Sequence, residues 1–400
     1  MKIGIIKEEK IPQDARAPLT PHQCAEVNGM GVHRVIVESS NVRSFSDSEY
    51  VHDGVPLTDN VEDCDILLGV KEVPIHKLIP NKTYFFFSHT IKKQAYNRDL
   101  LRAILEKNIT LIDYEVLTDR NGMRLIAFGK FAGMVGAHNA LWTYGKRTGM
   151  LVLPRMGDCL DYKEVQQFYQ NTPFPDCRIV LTGTGRVANG AARVLDDMGF
   201  RRISVANFQR LPGAGKVYVQ VGVTDYATKK DGSAFTEQDY FDHPEDFIID
   251  FDKYYATADI MINGIYWDSK APAFFSIDEM ANDKFNIKVI ADITCDIAPN
   301  SSIPSTLEAA TIADPAFGFN PKTGKKTDPF LPDGVDMMTI DNLPNELPRD
   351  ASEAFGEQFF KYILPELNNS QSDILERGTI AKNGELTPRF QYLKDYVTGA

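Results

Sequence analysis

Apolar runs alternate with amphipathic stretches through the first third of the chain, a rhythm that predicts strands and helices in turn. KIGII (2–6) predicts a first strand and HQCAEVNGMG (22–31) a helix stopped by glycine. HRVIVE (33–38) reads as a second strand, and SDSEYVHDG (46–54) as a short helix with its own glycine stop. DILLGV (65–70) predicts a third strand that delivers Lys71, and KTYFFFS (82–88) a fourth that delivers His89. NRDLLRAILEKN (97–108) has helical spacing, and ITLIDYEVL (109–117) reads as a fifth strand. These strands are apolar throughout, as expected where both faces of a parallel sheet are covered.

A helical segment over 129–149 and prolines at 173 and 175 lead into IVLTGTGRVANGAARVLDDMG (179–199). Its β-branched run, glycines 183 and 185 and following helical pattern make a strand, a tight turn and a helix N-terminus. Such a turn lets backbone N–H groups approach a pyrophosphate, whose charge the helix dipole favours. The spacing is G-x-G-x-x-A, with Ala188 in third place; the same string also serves as an ordinary tight turn. ISVAN (203–207), ADIMINGIYW (258–267) and IKVIADIT (287–294) predict further buried strands. Residues 211–250 are polar, aromatic and irregular, and the tail from Arg349 carries the helix ASEAFGEQFFKYILPEL and a charged end.

The predicted class is therefore α/β, with two doubly wound parallel-sheet (Rossmann-like) domains and an interdomain cleft. Residues 1–130, joined by the C-terminal segment 345–400, are expected to form a substrate-binding domain, and 131–344 a dinucleotide-binding one.

Composition narrows the functions. A formal charge of −12 and a pI near 5.2 argue against nucleic acid and against an anionic membrane surface. The five cysteines never form a CxxC pair, which favours free thiols in a reducing compartment. MKIGIIKEEK starts a strand rather than a signal peptide, and no run approaches 18 apolar residues. A cytoplasmic location is expected. The histidines show no metal-ligand spacing, so no metal is assigned. Composition sets no oligomeric state.

Lys71 and His89 each follow a buried run at a strand's C-terminal end, the edge where open α/β sheets bind ligands. Together they suit proton transfer; the bland alternative is a surface lysine and a capping histidine. Arg16 and Arg124 suit bidentate capture of a carboxylate, although most arginines are solvated. Glu115, at a strand end, suits orienting a base. Asp341 and Asn342, in TIDNLP, read equally as an Asx turn. ISVAN ends in Asn207 where an NAD site usually places an acid, and Arg210 and Arg201–Arg202 lie nearby. That pattern favours NADP(H), with NAD(H) as the alternative.

ARAPLTP (15–21), GVKEVP (69–74), YFFFSHT (84–90), LIDYEVL (111–117), RLIAFGKFAG (124–133), INGIYW (262–267) and TIDNLPNELPRDASEAFGEQF (339–359) occur in this order. Together they closely resemble the saccharopine-forming family: lysine–2-oxoglutarate reductase and the lysine-forming saccharopine dehydrogenase. That family is a branch of the alanine dehydrogenase and transhydrogenase superfamily. The resemblance implies an oxidoreductase that condenses L-lysine with 2-oxoglutarate to saccharopine, or runs the reverse, through an imine reduced by hydride. It implies Lys71 and His89 as the acid/base pair, and Arg16 and Arg124 as carboxylate ligands. Glu72, Lys92, Glu115 and Phe128 fall around the reacting centre. It implies Gly183, Gly185, Arg186 and Val187 on the dinucleotide turn, Asn263 and Tyr266 beside the nicotinamide, and Asp341, Asn342 and Leu343 on a cofactor-touching loop. The NAD-using branch has an acid where this chain has Asn207. The rival readings are an alanine dehydrogenase or other opine-type enzyme, or a dinucleotide-binding regulator without turnover.

Overall fold

The computed structural model describes residues 1–210 and 215–399, which divide into two compact units. One comprises Met1–Phe128 and the chain from Pro348 onward; the other is Gly129–Leu347.

In the first unit, strands β1 (Lys2–Ile5), β2 (Arg34–Glu38), β3 (Leu57–Thr58), β4 (Ile66–Leu68), β5 (Thr83–Phe86) and β6 (Thr110–Asp113) lie in the order β6-β5-β4-β1-β2-β3, all parallel. Thr379–Lys382 adds an antiparallel strand beside β6, and Glu385–Leu386 another beyond it. Aliphatic and aromatic cores cover both faces of this sheet, which is why its strands carry no polar face. The parallel order brings the ends of β1, β4, β5 and β6 to one edge. The strand expected over 109–117 stops at Asp113, because the Asp113 carboxylate accepts the Glu115 N–H at 2.7 Å and turns the chain into a single 3-10 turn.

In the second unit, β7 (Arg178–Thr182), β8 (Arg201–Arg202), β9 (Val217–Val221), β12 (Ile260–Asn263), β13 (Val289–Asp292), β14 (Ala316–Asn320), β15 (Lys325–Thr327) and β16 (Val335–Met338) form one sheet. Its order is β15-β14-β16-β13-β12-β7-β9-β8, antiparallel only around β14. A separate antiparallel hairpin joins β10 (Ala227–Lys229) to β11 (Phe247–Ile249). Helix Arg186–Asp197 crosses the long helix Gly129–Thr148 at small residues. A Cβ on Gly133 would stand 1.8 Å from the Val187 carbonyl oxygen, and one on Gly190 would stand 2.1 Å from that of Lys130. The glycines let the two backbones touch, fixing the helix that follows the glycine turn.

Two expectations fail here. ISVAN is not a strand: β8 ends at Arg202, and Val205–Arg210 is helical. The Ser204 hydroxyl accepts the Asn207 N–H at 3.4 Å, its carbonyl accepts from Phe208, and Phe208 is fully buried. Capping and that burial outweigh the β-propensity of Ile203 and Val205. The irregular insertion, whose residues 211–214 lie outside the described ones, contains β9, the strand directly beside β7.

Candidate functional site

At the strand-end edge of the first unit, Lys71 follows β4 and is held from behind. The Glu8 carboxylate, just beyond β1, accepts the N–H groups of Val70 and Lys71 at 2.6 and 2.9 Å. Burial, then the charges of Arg16 and Lys10, pull the Lys71 ammonium down to about 8. Burial, then the neighbouring Asp14, pushes the Glu8 carboxyl up to about 7. His89 follows β5 in the left-handed region at φ 52°, which turns its ring toward Glu72. His89 Nδ1 stands 2.5 Å from Glu72 Oε1, and Lys10 Nζ stands 2.8 Å from Glu72 Oε2. Burial opposes the Glu72 charge, but His89 and Lys10 together hold its carboxyl down at about 2. Glu72 is thus an anion bridging an imidazole and an ammonium, one residue from a lysine that readily gives up its proton.

The remaining first-unit residues are also paired. Arg16 is buried, with Nε and Nη2 on Asp14 at 2.9 and 2.6 Å and its guanidinium 4.2 Å from the Phe128 ring centre. Phe128 stacks in turn on Phe355. Arg124 is exposed and donates to Glu115 Oε1 at 3.1 Å, which Lys92 Nζ approaches at 3.7 Å. Behind them, Asp113 accepts from the Ser88 and Glu115 N–H groups, and burial raises its carboxyl to about 6. Sequence reasoning passed over Glu8, Asp14 and Asp113. For Glu8 and Asp113 the signal was position, an acid at or just past the end of an apolar strand; Asp14, well past β1 in the loop that carries Arg16, had none. Beside Lys71 opens a cavity of about 270 Å³ whose charged lining is mostly acidic, including Glu8, Glu38, Asp59, Glu62 and Glu72.

In the second unit the turn after β7 has the form that a pyrophosphate requires. Gly183 sits at φ +100°, and a Cβ there would lie 2.6 Å from the Gly264 carbonyl oxygen. Gly185, extended, has nothing within 4 Å of where its Cβ would stand, and it caps the start of helix Arg186–Asp197, whose first N–H groups have no intrahelical acceptor. These residues fit a dinucleotide phosphate. The Asn263 side chain is committed to hydrogen bonds within the protein. It is fully buried, donates to Asp292 and Ser302 at 2.9 Å each, and accepts from Thr182 at 2.7 Å. It fixes the ends of β7, β12 and β13 together. Tyr266 is 78% exposed, Asp341 is exposed and Asn342 half-buried, while Leu343 is packed inside.

The basic residues invoked for a 2′-phosphate sit at the wrong end of the sheet. Arg201 and Arg202 pair with Val217 and Tyr218, level with the start of β7. Phe208, two residues before Arg210, gives its carbonyl to Arg178, the first residue of β7. Asn207 lies on the intervening exposed helix turn, not at a strand end.

Among the described residues, no group of histidine, cysteine and acidic side chains is placed to hold a metal, and no helix is long and apolar enough to cross a membrane.

Comparison with known proteins agrees with this architecture. Residues 4–135 match the family model for the alanine dehydrogenase/PNT N-terminal domain. The chain is 29% identical over 439 residues to an alpha-aminoadipic semialdehyde synthase of Arabidopsis thaliana, covering 98% of this chain but 41% of that protein. It is 28% identical to a saccharopine dehydrogenase [NAD(+), L-lysine-forming] of Emericella nidulans, with 90% of each chain covered. It thus spans less than half the length of the first curated relatives it matches. Among solved structures, an L-alanine dehydrogenase superposes with a TM-score of 0.68 at 18% identity, covering 99% of this chain and 100% of that one. A transhydrogenase from Sinorhizobium meliloti gives 0.62 at 15%, covering 96% and 100%. The chain is thus an enzyme similar, over residues 4–135, to the alanine dehydrogenase/PNT N-terminal domain and, along most of its length, to saccharopine dehydrogenases and alpha-aminoadipic semialdehyde synthases.

Proposed function

We propose that this enzyme uses a nicotinamide dinucleotide to condense L-lysine reductively with 2-oxoglutarate, giving saccharopine, or catalyses the reverse. The observation that carries the reading is the chain of groups at the first unit's strand ends: Lys10, Glu72 and His89 in contact, with Lys71 adjacent. The acidic cavity beside Lys71 suits an amine donor, and the relatives named above support the substrate pair.

Each group has a task in that chemistry. An amine must be neutral to attack a keto carbon, and Lys71, lowered to about 8, takes its proton near neutral pH. The carbinolamine then loses water, and His89, its Nδ1 held 2.5 Å from the Glu72 carboxylate, is placed to supply the proton. Lys10 and Glu72 hold that ring in one orientation, so little reorganisation accompanies proton transfer. A nicotinamide dinucleotide, when bound, would supply the hydride for reduction of the imine, and Gly183, Gly185 and Arg186 would hold its pyrophosphate. Arg124 and Lys92, around Glu115, are the exposed cations able to meet substrate carboxylates.

The experiment is dinucleotide oxidation measured with 2-oxoglutarate and each amino acid in turn. Lysine should be strongly preferred, and Lys71→Met or His89→Gln should each lower kcat at least about 100-fold. Turnover with pyruvate and ammonia instead of 2-oxoglutarate and lysine would move the enzyme to the alanine dehydrogenase branch.

A further inference from the structure

The strand order of the second unit changes where the cofactor's adenosine ribose must be sought. In a dinucleotide domain the acid that accepts the ribose hydroxyls stands at the carboxyl end of the strand beside the glycine-turn strand. Here that neighbour is β9. The Gly183 N–H donates to the Val221 carbonyl at 2.8 Å, and the Gln220 side chain donates to the Gly183 carbonyl at 2.9 Å, so the end of β9 is tied to the turn. The next residue, Gly222, offers no side chain.

Two other residues fill that space. A Cβ at position 222 would lie 3.2 Å from Thr184 Cγ2, on the turn itself, and 3.3 Å from Glu237 Oε1. The carboxylate of Glu237 therefore stands where the side chain of a strand-end acid would begin. It arrives from the first turn of helix Glu237–Asp242, within the insertion that carries the β10–β11 hairpin. Capping does not consume it. Thr236 and Asp239 close the helix start on each other, and Asp225 takes the Gly222 N–H at 2.8 Å. Among the described residues, exposed Glu237 makes no hydrogen bond and no ion pair.

We propose that Glu237 is the ribose-hydroxyl acceptor of this site and sets its preference for NAD(H) over NADP(H). The inference rests on the dinucleotide reading given above. A free carboxylate accepts from the 2′- and 3′-hydroxyls of an unphosphorylated ribose, and it repels a 2′-phosphate carrying a charge of about −1.5 to −2. Arg201, Arg202 and Arg210, lying toward the other end of the sheet, do not offset that repulsion.

The test is direct binding, by calorimetry, of NADH and NADPH to the full chain and to its Glu237→Gln and Glu237→Lys variants, with thermal melts alongside. The wild type should bind NADH at least about tenfold tighter than NADPH. Glu237→Gln should bring the two within about threefold, and Glu237→Lys should favour NADPH, all with unchanged melting temperatures. Equal or tighter binding of NADPH by the wild type overturns the inference, as does a ratio unmoved by Glu237→Gln, and in both cases the dinucleotide site stands. Binding of neither nucleotide would remove the site itself, and Glu237's role with it.

Discussion

Replacing Gly185 by alanine separates ligand binding from folding at a single atom. The residue sits at φ −84° and ψ −167°, an extended conformation open to any side chain, with no atom within 4 Å of the added methyl. The folded state pays no steric cost, and the unfolded chain loses freedom, so stability should rise by about 0.4–1 kcal/mol. Gly185 is the N-cap of helix Arg186–Asp197, so the methyl is added beside the first N–H groups, which a bound phosphate oxygen would have to approach within about 2.7–3.2 Å. Losing one charge-assisted hydrogen bond costs about 1.5–3 kcal/mol. That corresponds to about 10- to 150-fold weaker binding. Calorimetric titration of wild type and the Gly185→Ala variant with each dinucleotide, beside chemical denaturation, reads both quantities. Gly183→Ala is the contrast: its Cβ would strike the Gly264 carbonyl at 2.6 Å, and the chain would have to hold φ +100°. It should lose stability and binding together. Unchanged affinity in Gly185→Ala would show that the turn does not cradle the pyrophosphate.

Gly133→Ala should lower the denaturation midpoint, because overpacking against the Val187 carbonyl costs about 1–3 kcal/mol and exceeds a helix-propensity gain of about 1 kcal/mol. A stabilised variant would contradict the backbone contact. If neutral Lys71 is the base, its active fraction rises about tenfold per pH unit below its value of about 8 and levels above it. Saturated initial rates between pH 6 and 9 should follow that curve, and a flat profile would remove Lys71 from the step. The Glu72 carboxylate favours the charged form of Lys71, so Glu72→Gln should shift the same inflection toward acid while lowering the plateau. A shift toward base would refute the assigned electrostatics.

How far the sequence reached depended on how local each determinant is. The turn at Gly183 and Gly185, the strands delivering Lys71 and His89, and the helix over 129–148 are set by contiguous residues, and the structure has them as read. Val217–Val221 went unseen inside a polar insertion because an interior strand is made by its neighbours β7 and β8 as much as by its own residues. The placement of Asn207 and Arg210 failed for the same reason: without the strand order, a count of residues from the glycines pointed to the wrong strand. Asn263 looked like a ligand because it is polar at a strand end. Its three partners, Thr182, Asp292 and Ser302, lie 29 to 81 residues away. Glu8, which anchors the N–H groups of Val70 and Lys71, is a pairing over more than 60 residues of chain that no window of sequence displays.

The antiparallel strand Thr379–Lys382 has a consequence for biosynthesis. Its partner β6 is translated first, and the whole of Gly129–Leu347 is translated between them. During that interval the nascent first unit has a bare hydrogen-bonding flank, and a chain truncated before residue 379 would keep it permanently. Such flanks recruit other chains. Messenger truncation or late proteolysis should therefore yield self-association rather than a smaller working enzyme.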